Sequence, residues 1–522
     1  NTSGDNPVPV DFSVLAGHPT GTLKSIGMYS DIVSSTIFVF LTDYTDLKFP
    51  GSLKYSSTAL NYVYSYNTLT TQANQLVSGA YLNFSKTNPI NAVNTLENLL
   101  FWTDNRNQPR KINVSTASDS SYYNSEDLIS IAKYNPYEVI ELYYQDTNQY
   151  TKYNTPGLPN GETPNPNLNQ WVCAAQNVTS SKLPDGTTDN MYYDPKWPGD
   201  PDYLKSKFVA FSYRFKFSDG EYSILAPFTQ EAFIPQQDGY FLDGDEDSAY
   251  RSSIVEFMRN KVTNVKLHIP LPTQGQNLES THGVSQIEII WKESDSLTVK
   301  VLDSVPVSNL VGSSNDFYLY DYQSRKPYKT LPESEIIRVY DKVPVRALSQ
   351  EIISNRVVYG NFQDKHTPPA TINYDVAVTE KSTFSVSSTN TSLYTTSEIE
   401  YPEHTLKQNR NYQVGIVLSD RYGRQSTTIL SPIDTQIKTI TTGGNDLTFR
   451  GSTYYHPYKG EPVAPITNDI HSWPGDSLKI LINAGISSTP NITTGTPGIY
   501  NGDAANAAYN PLGWYSYKIV IK

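Results

Sequence analysis

The sequence predicts a mostly β protein, on three observations. Tyrosine (40 residues), threonine, serine and asparagine are heavily used while methionine (3) is scarce, a composition that suits strands and turns better than helices. Apolar side chains recur at period two in many short runs, and turn-forming clusters of Asp, Asn, Gly, Ser and Pro punctuate them. Segments with helical periodicity are few and short. At 522 residues the chain has room for several modules.

Residues 1–135 read as short strands at 35–41, 62–66, 80–84 and 99–102, forming a β-propeller-like unit. The most informative stretch runs from Leu99 to Asn113. Leu100, Trp102, Ile112 and Val114 supply an apolar face at period two, with Trp102 inside. Thr103, Asp104, Asn105 and Asn107 form the turn between two strands, the second beginning near Lys111. Asx side chains there bond backbone amides and Pro109 fixes one φ angle. A reduced form, Phe38-Val39-Phe40-Leu41-Thr42-Asp43, lies 61 residues upstream when the Thr-Asp pairs are aligned. Such a repeat suggests a stacked or radial β architecture, although 61 residues fits a propeller blade only with insertions.

Residues 136–240 combine a long loop with a first sandwich-like module. Asn, Pro, Gly, Asp and Thr dominate 153–201, which reads as an exposed arm toward a neighbouring subunit or as a solvent-exposed insertion. Tyr213, Phe215 and Phe217 alternate with polar residues, predicting one buried face, and Asp219 and Gly220 make a hairpin turn. Residues 241–350 form a central mixed region, with strands at 285–292, 297–305 and 316–322. Helices are expected at 245–260, capped by Ser252 or Ser253, and at 346–354. Glu288, between Ile287 and Ile289, reads as outward-facing. In 351–440, Tyr412, Val414, Ile416 and Leu418 alternate before a turn built on Asp420 and Gly423. This is similar to the last hairpin of fibronectin III-like sandwiches and predicts a second module of that kind. Residues 441–522 are β-rich at their end but turn-rich before it. The final strand, running to Lys522, predicts that the chain continues beyond that residue.

The single cysteine, Cys173, excludes an intramolecular disulfide and a cysteine-based zinc cluster. A net charge of −12 argues against sequence-specific nucleic-acid binding, and no apolar run is long enough to span a membrane as a helix. The seven histidines form no zinc-protease spacing, and no nucleophile elbow or phosphate loop occurs. Asp243-Gly244-Asp245-Glu246-Asp247 is the densest acidic run. A calcium loop starting at Asp243 would need Gly and Glu where Ser248 and Ile254 stand, so the run reads as a solvated loop preceding a helix. Trp102, Trp291 and Trp514 sit in alternating strands and read as core. No catalytic, cofactor-binding or metal residue stands out, and the chain reads as a non-enzyme without cofactor.

Five segments together resemble the stabilisation or muzzle proteins of crAss-like phage tails. They are Phe101-Trp102-Thr103-Asp104-Asn105 through Pro109-Arg110-Lys111-Ile112-Asn113; Ser212-Tyr213-Arg214-Phe215 through Ala226-Pro227-Phe228; Lys329 through Pro344; Gln413 through Ser426; and Gly513-Trp514-Tyr515-Ser516-Tyr517-Lys518-Ile519-Val520. The resemblance covers about residue 95 to the C-terminus and is less clear over 1–90 and 153–201. It implies kinship with the nozzle proteins of short-tailed phages: a homo-oligomeric, six-fold ring of irregular β-propellers with added β modules. Such a ring sits in the virion below the portal and adaptor ring, contacts adaptor, ring and fibre proteins, and conducts DNA during ejection with only transient, non-specific contact. It also implies a chain longer than 522 residues and no enzymatic residues.

On this view an acidic channel wall would keep DNA contacts transient, and the 153–201 loop would clasp a neighbouring subunit. The alternative is a tail protein that binds or depolymerises host-surface glycans, which would need exposed aromatics and, for cleavage, two facing carboxylates. A bacterial surface adhesin of propeller and sandwich modules is a further possibility.

Overall fold

The computed structural model describes residues 23–45, 56–119, 121–144, 199–200, 203–232, 235–237, 258–260, 262, 265–272, 278–310, 317–338, 342–354, 356–380, 406–407, 409–431, 438–442, 445–449, 451–456, 476–491, 494–503, 506 and 508–522. All but residues 199–200 of the arm expected at 153–201, the acidic run at 243–247 and most of the helix expected at 245–260 lie outside these residues. Cys173 does too. The described chain is mostly β, built from antiparallel sheets with few short helices.

The first unit is a meander of β1 (Lys24–Asp31), β2 (Thr36–Thr42), β3 (Asn61–Asn67) and β4 (Gln72–Ser78), followed by a three-stranded sheet of β5 (Ala92–Leu96), β6 (Leu99–Thr103) and β7 (Arg110–Asn113). Phe38, Phe40 and Val63 of the meander share a core with Leu100, Trp102 and Ile112. Phe40 meets the Trp102 ring at 5.6 Å and the Phe84 ring at 6.0 Å. Trp102 is thus inside, as its alternation requires. The Thr-Asp likeness does not extend to facing. Phe40, three residues before Asp43, enters the core, whereas Trp102 does so two residues before Asp104. With a side-chain period of two, that offset puts equivalent positions on opposite faces.

Residues 80–84, expected as a strand, instead contain a 3-10 turn at Ala80–Leu82 that ends at Asn83 in the left-handed conformation (φ 47°). Asn83 suits that backbone, and its side chain is taken up by Arg106 and Asn107, as described below.

In the middle of the chain β8 (Glu141–Tyr144), β9 (Val209–Phe217), β10 (Pro235–Gln237), β11 (Met258–Asn260), β12 (Val265–Pro270), β13 (Val284–Glu293), β14 (Val299–Pro306), β15 (Phe317–Tyr322) and β16 (Lys329–Thr330) follow in order. They form a sheet ordered β15-β12-β8, a sheet ordered β16-β14-β13-β9, and a β10–β11 ladder. Phe211, Tyr213 and Phe215 of β9 and Ile287, Ile289 and Trp291 of β13 share one core with Leu267 and Ile269 of β12 and Tyr322 of β15. Met258–Asn260, the end of the expected helix, is a strand because it pairs with Pro235–Gln237.

Two expectations fail on the opposite face of this sheet. β9 is buried on both faces, and Glu288, expected to point outward, is 4% exposed. That second face is covered by Tyr222 and by a helical turn at Glu333–Ile336, over a small core of Ile290, Val299, Val301 and Leu331. Glu288 is tolerated there because Arg214 on the neighbouring strand donates its Nε–H at 2.7 Å. Arg214 also reaches Glu335 at 2.5 Å and stacks over the Tyr222 ring at 4.0 Å.

The last part contains β17 (Arg346–Ile353), β18 (Arg356–Gln363), β19 (Tyr374–Glu380), β20 (Arg410–Ser419), β21 (Lys438–Thr442), β22 (Asn445–Phe449), β23 (Thr453–His456), β24 (Asp476–Ile482) and β25 (Ser516–Ile521). The expected helix at 346–354 is β17, paired with β18 over the whole ribbon. Ile352 and Ile353 face Val357 and Arg356 across it, and Ser354 turns the chain with φ 47°. Cross-strand pairing with a β-branched partner outweighs a short, weakly capped helical pattern. Tyr374 and Val376 of β19 share a core with Val414, Ile416 and Leu418 of β20 and with Trp514. Strands β22, β23 and β24 lie in the stretch that reads as turn-rich.

Candidate functional site

The two hairpin turns marked in the sequence have a common construction. After β9, Gly220 takes φ +83° and Ser223 follows three residues later. After β20, Gly423 takes φ +77° and Ser426 follows three residues later. In each, the serine hydroxyl accepts a strand N–H (Phe215 at 3.0 Å, Leu418 at 3.0 Å) and donates to the carbonyl of the next residue. The serine therefore bridges strand and returning chain on both hairpins. The returning chain after Gly220 stays bonded to β9 as far as Ala232, whose N–H donates to Val209 O at 2.7 Å.

The Trp102–Pro109 corner is held from within. Asp104 Oδ1 accepts the N–H groups of Arg106 (2.9 Å) and Asn107 (2.8 Å), and its Oδ2 accepts from the Asn107 amide at 2.5 Å. Asn105 takes φ 54°, and its N–H donates to Ala347 O on β17 at 3.0 Å. Arg106 donates to Asn83 O and Asn83 Oδ1, both at 3.0 Å, while Asn83 donates to Asn107 Oδ1 at 2.7 Å. Pro109 O accepts the N–H of Ile131 at 3.2 Å. Thr103 is buried at the end of β6.

Both hairpin turns come down on the segment that follows this corner. Asp219 receives Lys133 at 2.6 Å and Lys111 at 3.1 Å, and Glu221 receives Lys111 at 2.9 Å. Burial alone would raise the Asp219 carboxyl, but the two lysines outweigh it and hold it at about 2. Opposite, the Asp420–Gly423 turn docks on the helical turn Glu126–Ile129. Arg421 lies 2.7 Å from Asp127 and 3.3 Å from Glu126, and the Arg421 carbonyl accepts the N–H of Asn135 at 3.0 Å. Tyr422 donates its hydroxyl to Asp127 Oδ1 at 3.0 Å, and Gln108 reaches both Glu126 (2.7 Å) and the Tyr422 hydroxyl (3.3 Å). Arg110, 0% exposed, donates to Leu82 O and Tyr81 O and pairs with Glu126 at 3.2 Å. His282, at the end of the helical turn Leu278–His282, places Nδ1 2.6 Å from Asp127 Oδ2.

Beside this cluster, Asp420 organises its own turn. Its Oδ1 accepts the N–H groups of Tyr422 and Arg424, both at 3.0 Å. Its Oδ2 accepts from Arg424 Nε at 2.7 Å and from His366 Nε2 at 2.8 Å. Arg424 continues to Pro344 O at 3.0 Å, and the His366 ring meets Trp514 edge-on at 5.4 Å.

The electrostatics favour fixed charges over proton transfer. Burial would raise Asp127, yet Arg421, His282 and Tyr422 hold its carboxyl down at about 2. Burial likewise opposes ionisation of Asp420, and Arg424 and His366 carry it well below the usual carboxylate range. Burial lowers His366 against the pull of Asp420, so it stays neutral and donates. Burial also raises the Tyr422 hydroxyl well above its ordinary value. Asp127 and His282 resemble an acid–base pair, but both are buried against fixed partners. The arrangement works as a lock among sequence-distant units.

The sequence reading singles out Asp104, Asn105, Asp219, Gly220, Asp420 and Gly423, and the structure brings all three of their turns to one junction. Trp102 lies in the core beneath it. The reading missed the charged members: Arg110, Glu126, Asp127, Lys133, His282, His366, Arg421 and Arg424. A sequence signal existed for one of them, since Asp420 and Arg424 stand four apart around a glycine turn. Among the described residues no group of three or more His, Cys, Asp and Glu side chains has a metal-holding arrangement, and no helix is long and apolar enough to cross a membrane. Comparison with protein-family profiles and with curated proteins finds no match.

Proposed function

We propose that this chain is a structural virion protein of a short phage tail, a subunit of the distal nozzle or muzzle ring that conducts DNA during ejection. In this proposal the first unit is an irregular propeller-like domain and the hairpin-bearing units are fibronectin III-like modules. The single observation that carries it is a convergence. Stretches that carry the resemblance to crAss-like phage muzzle proteins supply Arg110, Arg421 and Arg424, whose buried ion pairs with Glu126, Asp127 and Asp420 build the junction, the Arg421–Asp127 pair joining the last hairpin to the first unit. A ring subunit under load needs such fixed relative placement of its parts, and interactions of this kind favour one geometry over others. The net charge of −12 suits a channel wall that repels the DNA backbone.

The partners are then copies of the same chain in a hexameric ring, adaptor, ring and fibre proteins of the tail, and DNA in passage. The test is electron microscopy of the purified chain and of virions labelled against it. A closed ring with a channel wide enough for duplex DNA, located at the distal tail, is expected. A monomer or a trimeric spike would overturn the proposal and favour host-surface glycan recognition. Lysine and arginine lining the channel, with the acids outside, would overturn the acidic-wall part alone.

A further inference from the structure

A second feature borders the ion-pair lock, its Tyr134 ring 5.5 Å from that of His282: Tyr134, Tyr137, Tyr213, Phe215, Glu138 and Tyr515 surround a cavity of about 50 Å³, lined on one side by Pro270–Pro272. At about 10–15 Å³ per water-sized group this holds roughly three to five heavy atoms. Its rings meet nearly at right angles: Tyr134 with Tyr515 at 81° and Tyr137 with Tyr515 at 82°. The hydroxyls converge, those of Tyr134 and Tyr515 lying 3.5 Å apart. The Tyr137 ring lies 5.1 Å from that of Tyr515, and the charge of Glu138 is felt at Tyr137, Tyr213 and Tyr515. Burial raises the hydroxyls of Tyr134 and Tyr213 well above their ordinary value, so they remain neutral donors and acceptors.

Among the described residues the lining therefore holds several neutral oxygens, aromatic ring bodies and one carboxylate at an exposed mouth, and no lysine, arginine or histidine. A group that suits this set is a compact cation with several N–H donors. Its charge is attracted by Glu138 and by the ring quadrupoles, and its donors find hydroxyl and carboxylate oxygens. A carboxylate or phosphate would meet Glu138 with like charge. A quaternary ammonium has no donor for the hydroxyls, and an alcohol lacks the charge.

We propose that this cavity binds the protonated primary amine of a small alkylammonium ligand, either a free amine or the end of a lysine side chain from a partner chain. The first three or so atoms enter, nitrogen foremost.

The test is calorimetric or NMR titration of the intact chain with n-butylammonium chloride, with n-butanol and tetramethylammonium as controls. Saturable binding of butylammonium is expected, with each control at least about tenfold weaker. Glu138→Gln, at an exposed position, should weaken butylammonium about tenfold while leaving the melting temperature unchanged. Tyr137→Phe should weaken it by a smaller factor. A lysine-containing peptide that competes with butylammonium would identify the partner-chain source, and a free diamine binding more tightly than the peptide would identify the small-molecule source. Absence of saturable butylammonium binding, equal binding of n-butanol or tetramethylammonium, or an unchanged affinity in a folded Glu138→Gln variant would each overturn the proposal. These outcomes do not depend on whether the chain forms a ring.

Discussion

The guanidinium of Arg421 sits 2.7 Å from the carboxylate of Asp127, each buried and each on a turn remote from the other in sequence. Asp127 is also held by His282 and Tyr422, and Arg421 by Glu126. Taking two charges out of water is costly, and their attraction repays it only when further hydrogen bonds complete the set. Asp127 has them from His282 and Tyr422, whereas the Arg421 Nε–H has no acceptor among the described residues; the pair marks where the Asp420–Gly423 hairpin rests on the first unit.

Removing one partner leaves the other buried with only part of its compensation. Asp127→Asn or Arg421→Ala is expected to cost about 3–5 kcal/mol in chemical denaturation. The double variant should cost less than the sum of the two, because its second substitution removes a charge already stranded by the first.

The acids of the junction set a pH dependence. Asp127 titrates at about 2 in the folded chain and near 3.9 in an unfolded one. Its stabilisation, on the order of 2–3 kcal/mol, is complete above the unfolded value and is lost as pH falls from about 4 through 2. Burial lowers His366 in the folded state, so an unfolded chain takes up its proton first and stability also declines as pH falls below about 6.5. Melting temperatures measured from pH 7 to pH 2 should show both declines. Asp127→Asn should flatten only the lower one and His366→Asn only the upper one.

The glycines of the paired hairpins are unequal. A Cβ on Gly220 would meet nothing within 4 Å, so Gly220→Ala carries only the cost of its φ of +83°, about 1–2 kcal/mol. At Gly423 a Cβ would lie 2.8 Å from the Asn135 side chain as well as sitting at φ +77°. Gly423→Ala should cost about 2–5 kcal/mol. Equal melting temperatures for the two variants would contradict the docking of this turn on Asn135.

Trp102 is 1% exposed, and its indole N–H has no acceptor among the described residues. Trp102→Phe should therefore lose packing but no hydrogen bond and cost clearly less than Trp102→Ala, expected at about 3–5 kcal/mol. Urea midpoints of the two variants would separate these values.

Local chemistry explains what was legible in the sequence. Trp102 and Trp291 announce their burial by alternation, and Asp104, Gly220 and Gly423 announce turns because few residues serve there. Glu288 was misread because alternation reports two faces but not whether the second is covered. Its cover comes from Tyr222 and from Glu333–Ile336, and its counter-ion from Arg214 on the next strand. The strand at Arg346–Ile353 was misread because its pairing partner decides its state. The junction itself was invisible. Asp127 finds His282, Arg421 and Tyr422 only through the tertiary fold, and no spacing along the chain encodes that meeting.

The separation of Asp127 from Tyr422, 295 residues, has a consequence for biosynthesis. A ribosome adding about 5–20 residues per second leaves roughly 15–60 s between the two residues. Through that interval Glu126 has Arg110 but not Arg421, and Asp127 lacks both Arg421 and the Tyr422 hydroxyl, so the last hairpin is not yet latched to the first unit. Docking of the last hairpin on the first unit is thus the latest step of synthesis, and a truncation before Asp420 would release a product whose Glu126–Ile129 turn had no hairpin upon it.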